Sequence, residues 1–398
     1  SGFFNPDNLP ERHKEPFTII MPPPNANGKL HMGHSAFITP EDIIIRYQRM
    51  RGKKTLWLPG TDHAGFETQV VFEKELEKRG TSRFQMTREE FYKQVSEFVE
   101  ENKMATEEGI KSLGASADWS RNMFTLDPKI IKIVYDTFEK LYKDNLVYRG
   151  WRIVNVCPKH LTSLSDVETD HEDRNGLYYI KYGDFEVATV RPETIFGDIA
   201  LAINPKDEKK HAGKTAIHPY DGRKLKIISD SAVDPKFGTG VVKITPAHDE
   251  ADFEMWKRYL SKDERQFEKD VEKHTIINRS GKLTEKNPLN LIPLEYQGLK
   301  VKDARIKIIE ELKKKGVLIP GSGDESYKYQ VPVCYKCKSD LQPIPDTQWF
   351  VAMTKPVNSK SLQDIAIEAV KSKKIKIIPP RFEKVYMHWM KNVRDWNI

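Results

Sequence analysis

The chain has 398 residues, of which 38% are hydrophobic and 31% charged, a composition that is typical of folded globular proteins and excludes a disordered chain. Its formal net charge of +7 is a mild bias compatible with a polyanionic partner, and no apolar run approaches the roughly 18 residues that a membrane helix needs. Three cysteines are too few for a disulfide framework and indicate a reducing compartment, so we expect a cytoplasmic protein of two or three domains with no membrane association.

The N-terminal region predicts the opening unit of a nucleotide-binding α/β fold. Residues 17–21 form a short β-prone run that ends at the breakers of residues 22–28. A helical pattern then extends from about Gly33 to Met50, and a second strand is expected at residues 55–58. A strand, a crossover helix and a parallel strand are typical of this fold class.

Helices are predicted after this unit. Thr87 and Glu90 have the spacing of a capping box, and Asp127-Pro128 combines an N-cap residue with proline at the first helical position. Apolar residues follow both signals at the spacing of one helix face. We therefore expect well-packed helices up to about residue 143.

The character of the chain changes at about residue 166. From there to residue 332, short apolar stretches alternate with turn residues, which predicts a β-rich insertion with one helix at about residues 302–315. Mixed α/β character returns after Pro332, and residues 394–398 look like a strand that enters the second half of the α/β domain.

Two loops are placed to bind a nucleotide and a small cationic group. His31-Met32-Gly33-His34 opens the first helix, where unpaired N–H groups and two imidazoles offer donors for a triphosphate and Gly33 lets a flat base approach the backbone. Residues 60–65 follow the second strand and should face the same crevice. There Asp62 is suited to hold an α-ammonium, although the alternative is that it only caps the next helix.

Two pairs of potential metal ligands flank the β-rich insertion. Cys157 and His160 precede it, Cys334 and Cys337 follow it, and each pair has the two-residue separation typical of zinc knuckles. An inserted domain must leave and re-enter its host at nearby points, which would bring the pairs together. We predict a structural Zn²⁺ site, against the alternative of two unrelated turns with reduced thiols.

The two N-terminal loops carry a family resemblance. Residues 22–34, with Pro22-Pro23-Pro24-Asn25 and the His-x-Gly-His motif, and residues 58–65 resemble the catalytic start of valyl-tRNA synthetases, which are class I aminoacyl-tRNA synthetases. The resemblance continues over nearly the whole chain. It implies a Rossmann-type parallel sheet domain, interrupted by a β-rich editing insertion, with segments 1–165, 166–332 and 333–398. It also implies a monomer that uses ATP with Mg²⁺, valine and the valine tRNA.

The resemblance assigns roles to residues of the first two loops. His31, Gly33 and His34 are expected to bind ATP, with both histidines on its phosphates. Pro23, Asn25 and Asp62 are expected to form the amino-acid pocket, and its ammonium group would be held there. The isoleucine and leucine enzymes share His-x-Gly-His but typically have Gly-Trp-Asp in the second loop, where this chain has Gly-Thr-Asp-His.

Two loops of the insertion, residues 189–194 and 237–252, match the threonine-rich and Ala-His-Asp segments of the editing domain in these synthetases. The alternative is ordinary turn chemistry, because Thr, Asp and Gly favour turns. Editing is needed because a pocket shaped for valine cannot strongly exclude threonine. The resemblance assigns the α-ammonium of the misattached residue to Asp252, its hydroxyl to Asp249 and Lys243, the pocket wall to Phe237, and the terminal adenosine to Arg191 and Thr194.

The 398 residues contain no Lys-Met-Ser-Lys-Ser-like loop, which class I synthetases use to bind the ATP phosphates. We therefore expect this chain to activate valine poorly but to carry a complete proofreading domain. The alternatives are an isoleucine synthetase, a nucleotidyltransferase that shares the His-x-Gly-His motif, and a non-catalytic tRNA-binding protein.

Overall fold

The structure, a computed structural model, describes residues 2–10, 14–165, 168–261, 263–323 and 326–398. The chain divides into two units, Ser1–Asp144 and Asn145–Ile398. Within the described ranges, no helix combines the length and the apolar composition that crossing a bilayer requires. The predicted domain boundary at residue 166 lies outside the described residues, and the division into three segments stays a prediction.

The first unit opens with the predicted strand, helix and parallel strand. These are β1 (Pro16–Ile20), α1 (Met32–Met50) and β2 (Lys54–Leu58), and β1 pairs with β2 in parallel. α1 covers the pair because Ile38 and Ile45, seven residues apart and therefore on one helix face, are both buried in the core of this unit. The α/β prediction is confirmed.

The rest of the first unit is mostly helical. Its elements are β3 (Gly60–Thr61), α2 (Gly65–Lys78), α3 (Arg88–Ser112), β4 (Met123–Phe124), which is parallel to β3, and α4 (Pro128–Lys143). The capping box of α3 is formed as predicted, since the Thr87 hydroxyl accepts the Glu90 N–H at 3.2 Å and the Glu90 carboxylate accepts the Thr87 N–H at 2.8 Å.

α4 departs from the prediction in two ways. Asp127 is the N-cap residue and Pro128 the first helical residue, as predicted, but the Asp127 carboxylate accepts the N–H of Phe124 at 2.8 Å and forms no capping hydrogen bond. The helix also buries no residue, and Val134 and Tyr135 are 59% and 71% exposed. The expectation of a well-packed helix is therefore wrong here, because a periodic pattern specifies an apolar face but not the neighbour that would cover it.

The second unit is rich in strands, as predicted for the insertion. Its strands are β5 (Val147–Cys157), β6 (Thr162–Leu164), β7 (Thr169–Asn175), β8 (Tyr178–Tyr182), β9 (Phe185–Thr189), β10 (Ala200–Ile203), β11 (Ala216–Ile217), β12 (Lys224–Ser229), β13 (Val241–Ile244), β14 (Lys328–Cys334), β15 (Gln342–Val351) and β16 (Trp396–Asn397). Its helices are α5 (Glu208–His211), α6 (Glu250–Leu260), α7 (Glu264–Lys273), α8 (Val301–Lys314), α9 (Leu362–Lys371) and α10 (Glu383–Lys391).

The second unit contains two four-stranded sheets among its described residues. One has the strand order β11-β12-β10-β13, in which β10 is parallel to β12 and antiparallel to β13. Every residue of β10 is buried, and α8 packs Ala304, Ile308 and Leu312 into the core cluster that contains part of this strand. The other sheet, β16-β15-β5-β6, pairs segments from before and after the predicted insertion along the whole of β15.

The C-terminal strand joins an antiparallel sheet in this structure. β16 pairs antiparallel with β15, with Asn397 opposite Phe350, and does not extend a parallel sheet. The assignment of residues 394–398 to the second half of the α/β domain stays a prediction. A two-residue strand has little sequence pattern of its own, so its pairing depends on which sheet edge is nearest.

Candidate functional site

The two histidines of the first motif cap α1 reciprocally. His31 is the N-cap residue, and its Nδ1 accepts the Gly33 N–H at 3.1 Å. His34 returns the contact, because its Nδ1 accepts the His31 N–H at 3.1 Å. The imidazoles thus take the places that a hydroxyl and a carboxylate have in an ordinary capping box. Their ring centroids are 4.1 Å apart, so the motif forms one compact unit.

These hydrogen bonds assign the protons of both rings. A nitrogen that accepts a backbone N–H carries no proton, so each neutral ring is protonated on Nε2. Burial, followed by the charge of neighbouring His31, lowers the pKa of His34 and keeps that ring neutral. The helix start therefore offers two Nε2–H donors in addition to the positive end of the helix dipole, an arrangement suited to phosphate oxygens.

Gly33 has a role that differs from the predicted one. A Cβ added to Gly33 would lie 2.8 Å from Cε1 and 2.9 Å from Nδ1 of His31. The absence of a side chain therefore makes room for the His31 ring, whereas the sequence suggested room for a base. The prediction that Gly33 contacts ATP stays untested by this geometry.

The second loop lies beside the first at the carboxyl ends of β1 and β2. Asn25 and Asp62 form a parallel bridge, and the Asp62 N–H donates to the Pro24 carbonyl at 2.9 Å. Pro23 lies against Gly60, where an added Cβ would be 3.7 Å from the Pro23 Cβ. The three residues predicted for the amino-acid pocket are therefore brought together, as the expectation of one crevice requires.

Asp62 also serves the local structure. Its Oδ1 accepts the Ala64 N–H at 3.0 Å and the Thr125 hydroxyl at 3.1 Å. These hydrogen bonds agree with the alternative prediction, in which the carboxylate organises the start of the next helix. The side chain is nevertheless 35% exposed, so a cationic ligand can still reach it.

A buried network holds the predicted editing residues of the second unit. The Lys243 ammonium donates to the Thr194 hydroxyl at 2.6 Å, the Thr245 hydroxyl at 2.6 Å and the Asp198 carboxylate at 2.9 Å. An ammonium has three N–H donors, so all of those of Lys243 are used within the protein. Contact between Lys243 and a substrate hydroxyl would require one of these bonds to be exchanged.

Asp252 lies next to this network without a counter-ion of its own. Its Oδ2 accepts the Thr245 N–H at 2.8 Å, and the side chain is buried in the first turn of α6. It forms no ion pair with a residue in the described part of the chain, because Lys243 is paired with Asp198. Burial, followed by the charge of Asp249, raises the pKa of Asp252 well above its usual value.

The other predicted editing residues lie around the same loops. Asp249 is the N-cap of α6, and its carboxylate accepts the Asp252 N–H at 3.0 Å. Arg191 donates to the His248 carbonyl at 2.6 Å, and so joins the two motif loops. Phe237 is 48% exposed, and its ring contacts Tyr327 at 6.0 Å between centroids. Its role as the pocket wall stays a prediction.

His248 anchors the second loop of the site. Its Nδ1 lies 3.0 Å from the Pro343 carbonyl, and its Nε2 accepts the N–H groups of Ile276 and Ile277 at 2.9 and 3.2 Å. A nitrogen that accepts two N–H groups is unprotonated, so the ring is neutral and donates from Nδ1. Burial, followed by the charge of Arg191, lowers the pKa of His248 to about 3. This histidine therefore acts as a neutral structural link.

Asp198 and Thr245 were missed by the sequence reasoning. Asp198 is completely buried, and besides Lys243 it accepts the hydroxyls of Thr245 and Tyr182, each at 2.6 Å. One signal was present, since Asp198 is the single charged residue in the apolar run from residue 195 to 203. A lone carboxylate in such a run indicates a buried and paired group.

The four predicted metal ligands form a cluster. One ligand atom from each of Cys157, His160, Cys334 and Cys337 lies within 4.8 Å of all the others. The Cys157 sulfur is 3.5 Å from the Cys337 sulfur and 3.3 Å from His160 Nδ1, which is 3.6 Å from the Cys334 sulfur. The residues can therefore hold a metal ion, and the prediction that the pairs come together is confirmed.

Comparisons with known proteins agree with the resemblance. A family model described as class I tRNA synthetases (I, L, M and V) matches residues 1–398. The chain is 45% identical to a valine–tRNA ligase of Pseudothermotoga lettingae, over 96% of this chain and 43% of that protein. It is 42% identical to a valine–tRNA ligase of Dehalococcoides mccartyi, over 100% of this chain and 43% of that protein.

Among solved structures, a ternary complex of an Agrobacterium radiobacter LeuRS with tRNA and LeuAMS matches 84% of this chain and 45% of that one, with 17% identity and a TM-score of 0.35. The chain spans less than half the length of the curated relatives given above.

Proposed function

The chain belongs to the class I tRNA synthetases of the I, L, M and V group, and on that premise we propose that the protein is a valine–tRNA ligase with a proofreading site in its second unit. Support comes from the 42–45% identity with proteins named valine–tRNA ligase. Since the chain matches 43% of their length, the activity of the whole protein and its substrates valine, ATP and tRNA belong to the proposal.

Activation would occur at the two loops of the first unit. The valine carboxylate attacks the α-phosphorus of ATP, and pyrophosphate leaves. No general base is required, because the carboxylate is already an anion. The Nε2–H donors of His31 and His34 would stabilise charge on the phosphates, and Asp62 would bind the valine ammonium. Mg²⁺ would enter with ATP and neutralise phosphate charge.

The Cys157 cluster would hold a structural Zn²⁺. For sulfur at about 2.3 Å and nitrogen at about 2.0 Å, tetrahedral coordination corresponds to ligand atoms roughly 3.5–3.8 Å apart. The observed separations of 3.3, 3.5 and 3.6 Å are close to these values. The ion would join β5 to β14 at the two ends of the insertion and take no part in the chemistry.

Proofreading has a physical reason in this enzyme class. Threonine has the shape of valine, with a hydroxyl in place of a methyl group, so a valine pocket excludes it poorly. This limit is already established for valine enzymes, which favour valine over threonine only about a hundredfold. A second site must therefore hydrolyse threonyl-tRNA. Water would attack the ester carbonyl carbon there, and the terminal ribose hydroxyl would leave.

The observation that carries the proofreading proposal is the unpaired carboxylate of Asp252. Asp252 is buried beside a lysine whose charge already belongs to Asp198. Burial, followed by the charge of Asp249, raises the pKa of Asp252 well above its usual value. The α-ammonium of a misattached amino acid would supply that charge and convert Asp252 to its ionised form. The network of Lys243, Thr194 and Thr245 would hold the surrounding loops in place.

The proposal is tested by the hydrolysis of threonyl-tRNA by the 398-residue chain. We expect Asp252→Asn to lower kcat/KM at least about 30-fold, since losing one partner of a buried charge pair costs about 2 kcal/mol or more. The matched control is Asp303→Asn, which neutralises an exposed carboxylate on α8 and should leave hydrolysis unchanged.

Two readouts separate the alternatives. The pKa of Asp252 is raised by folding, so ionisation of this group destabilises the fold as the pH rises, and Asp252→Asn should not lower the Tm at neutral pH. Undiminished hydrolysis by this variant would contradict the assignment of Asp252. Faster hydrolysis of valyl-tRNA than of threonyl-tRNA would favour the isoleucine alternative.

A further inference from the structure

We propose that the basic segment between α9 and α10, residues 371–384, is a contact surface for the sugar–phosphate backbone of a tRNA acceptor arm. The inference rests on the proposed function, which supplies the RNA partner. None of the motifs that carry the family resemblance falls in this segment. Its charge, its exposure and its attachment to the fold indicate such a surface.

Most of the net charge of the chain is concentrated in this segment. It contributes +5 to the formal net charge of +7, with a single acidic residue, Glu383. Its six cations are Lys371, Lys373, Lys374, Lys376, Arg381 and Lys384. Such local concentration of one sign attracts polyanions far more strongly than the same charge spread over a surface.

The six cations are available to a partner. All six are exposed, and none forms an ion pair within 4.0 Å with a residue that the structure describes, although Lys374 approaches Glu368 closely enough to contribute to lowering its pKa. Two exposed or half-exposed cations at the two ends of α8 differ from these six. Lys315 pairs with Glu311 at 3.4 Å, and Lys302 pairs with Asp340 at 3.5 Å. Cations without internal partners keep their full charge for phosphate groups.

The segment is attached to the fold at both ends. α9 and α10 are joined by hydrogen bonds from the Gln363 side chain to the Met390 carbonyl at 2.7 Å and from the Tyr386 hydroxyl to the Ala366 carbonyl at 3.1 Å. The cations therefore lie on a surface of defined shape. Between them the ring of Phe382 is 48% exposed beneath the guanidinium of Arg381, 5.1 Å from the ring centroid, and offers a flat face to a sugar or base.

The segment belongs to the same unit as the predicted proofreading site. α10 leads from it to Arg394, whose guanidinium donates to the Glu250 carboxylate at 2.9 Å. Glu250 is the first residue of α6, in the turn that contains Asp252. A tRNA whose backbone is held at residues 371–384 would thus be held on the unit that is proposed to hydrolyse its ester.

Lys373 gives a variant that separates binding from folding. Its φ is 61°, in the left-handed region that favours glycine, at the position that follows the C-cap residue Ser372 of α9. Lys373→Gly removes a cation and places there the residue that adopts this conformation without strain. Loss of RNA binding in this variant cannot then be attributed to loss of the fold. Combined with Lys376→Gln it removes two of the six cations.

The test is the salt dependence of binding to an RNA minihelix with an acceptor stem and a 3′ CCA end, followed by fluorescence anisotropy. Each phosphate contact contributes about 0.7 to 0.9 to the slope of log K against log salt, so the Lys373→Gly/Lys376→Gln chain should have a slope smaller in magnitude by about 1.4 to 1.8. The matched control, Lys269→Gln/Lys273→Gln on α7, removes two exposed cations that stand among acidic residues and should keep the parent slope.

Two further outcomes decide the proposal. An unchanged slope in the test variant, or an equal change in the control, would refute it. Loss of binding to phosphatidylserine vesicles without loss of minihelix binding would identify the segment as a membrane surface instead. In threonyl-tRNA hydrolysis the variant should have a higher KM and the same kcat as the parent chain. If the parent chain does not hydrolyse threonyl-tRNA, the proposed function is contradicted, but the salt dependence of minihelix binding still tests the surface.

Discussion

The buried pair of Lys243 and Asp198 gives a stringent prediction about stability. Their charged atoms are 2.9 Å apart, and the two side chains are 7% and 0% exposed. We expect Lys243→Met to destabilise the second unit strongly. Methionine fills nearly the same volume, so the cost comes from the loss of the cation and the cavity contribution is small.

The expected loss of stability depends on the hydrogen bonds that Asp198 keeps in the Lys243→Met chain. Removing one partner of a buried ion pair costs about 3–5 kcal/mol, because the other charge is left uncompensated. Asp198 retains the hydroxyls of Thr245 and Tyr182. These two donors place the expected loss at the lower end, about 3 kcal/mol. For a domain of this size, that corresponds to a Tm lower by roughly 6–12 °C.

The assay is denaturant unfolding of four chains that form a double-mutant cycle. Adding Asp198→Asn to Lys243→Met neutralises the stranded carboxylate and should recover about 2 kcal/mol. The control is Arg394→Met, which breaks a pair at the same 2.9 Å distance but with side chains 69% and 63% exposed, and should cost no more than about 1 kcal/mol. Additive effects, or a Lys243→Met chain as stable as the control, would refute the reasoning.

Two further predictions concern pH and metal. The pKa of His248 is about 3 in the folded chain and near 6.5 in the unfolded one. The stabilisation of the fold by the neutral ring is therefore complete above pH 6.5 and is lost as the pH falls toward 3. The parent should lose roughly 2 kcal/mol more than a His248→Gln chain between about pH 7 and about pH 5, and equal losses in denaturant unfolding would contradict the neutral buried ring. Chelation should lower the Tm of the zinc-loaded parent by roughly 5–10 °C and leave Cys334→Ser unaffected, whereas zinc analysis showing no bound metal after purification with zinc would contradict the metal site.

The sequence predicts the elements and motif neighbours whose signals are local. β1, α1 and β2 are found within one or two residues of their predicted bounds, because strand composition, breakers and helix periodicity agree there. The metal cluster also forms as predicted, since paired ligand spacing was combined with the requirement that an insertion returns to its origin. In the editing loops, Lys243 and Thr194 are in direct contact although 49 residues separate them.

The remaining features depend on distances that a sequence does not contain. The sequence could not predict that all three N–H donors of Lys243 are used, because this depends on which acceptors surround its ammonium in the fold. Asp198 has no motif, and Gly33 has a steric role that depends on the orientation of the His31 ring. For α4 the helical pattern was correct and the expected burial was not, because none of its residues is buried.

The metal-binding cluster has a consequence for the order in which the protein is made. Its ligands come from two chain segments, with contacts between residues 174 and 180 positions apart. Synthesis proceeds from the N-terminus, so Cys157 and His160 exist as a two-donor half-site until Cys334 and Cys337 have been added. The entropy of closing so long a loop is offset in part by the continuous pairing of β5 with β15. A nascent chain that stops within the insertion therefore has only two of the four ligands. The metal ion can be bound by all four ligands only after the insertion has been synthesised.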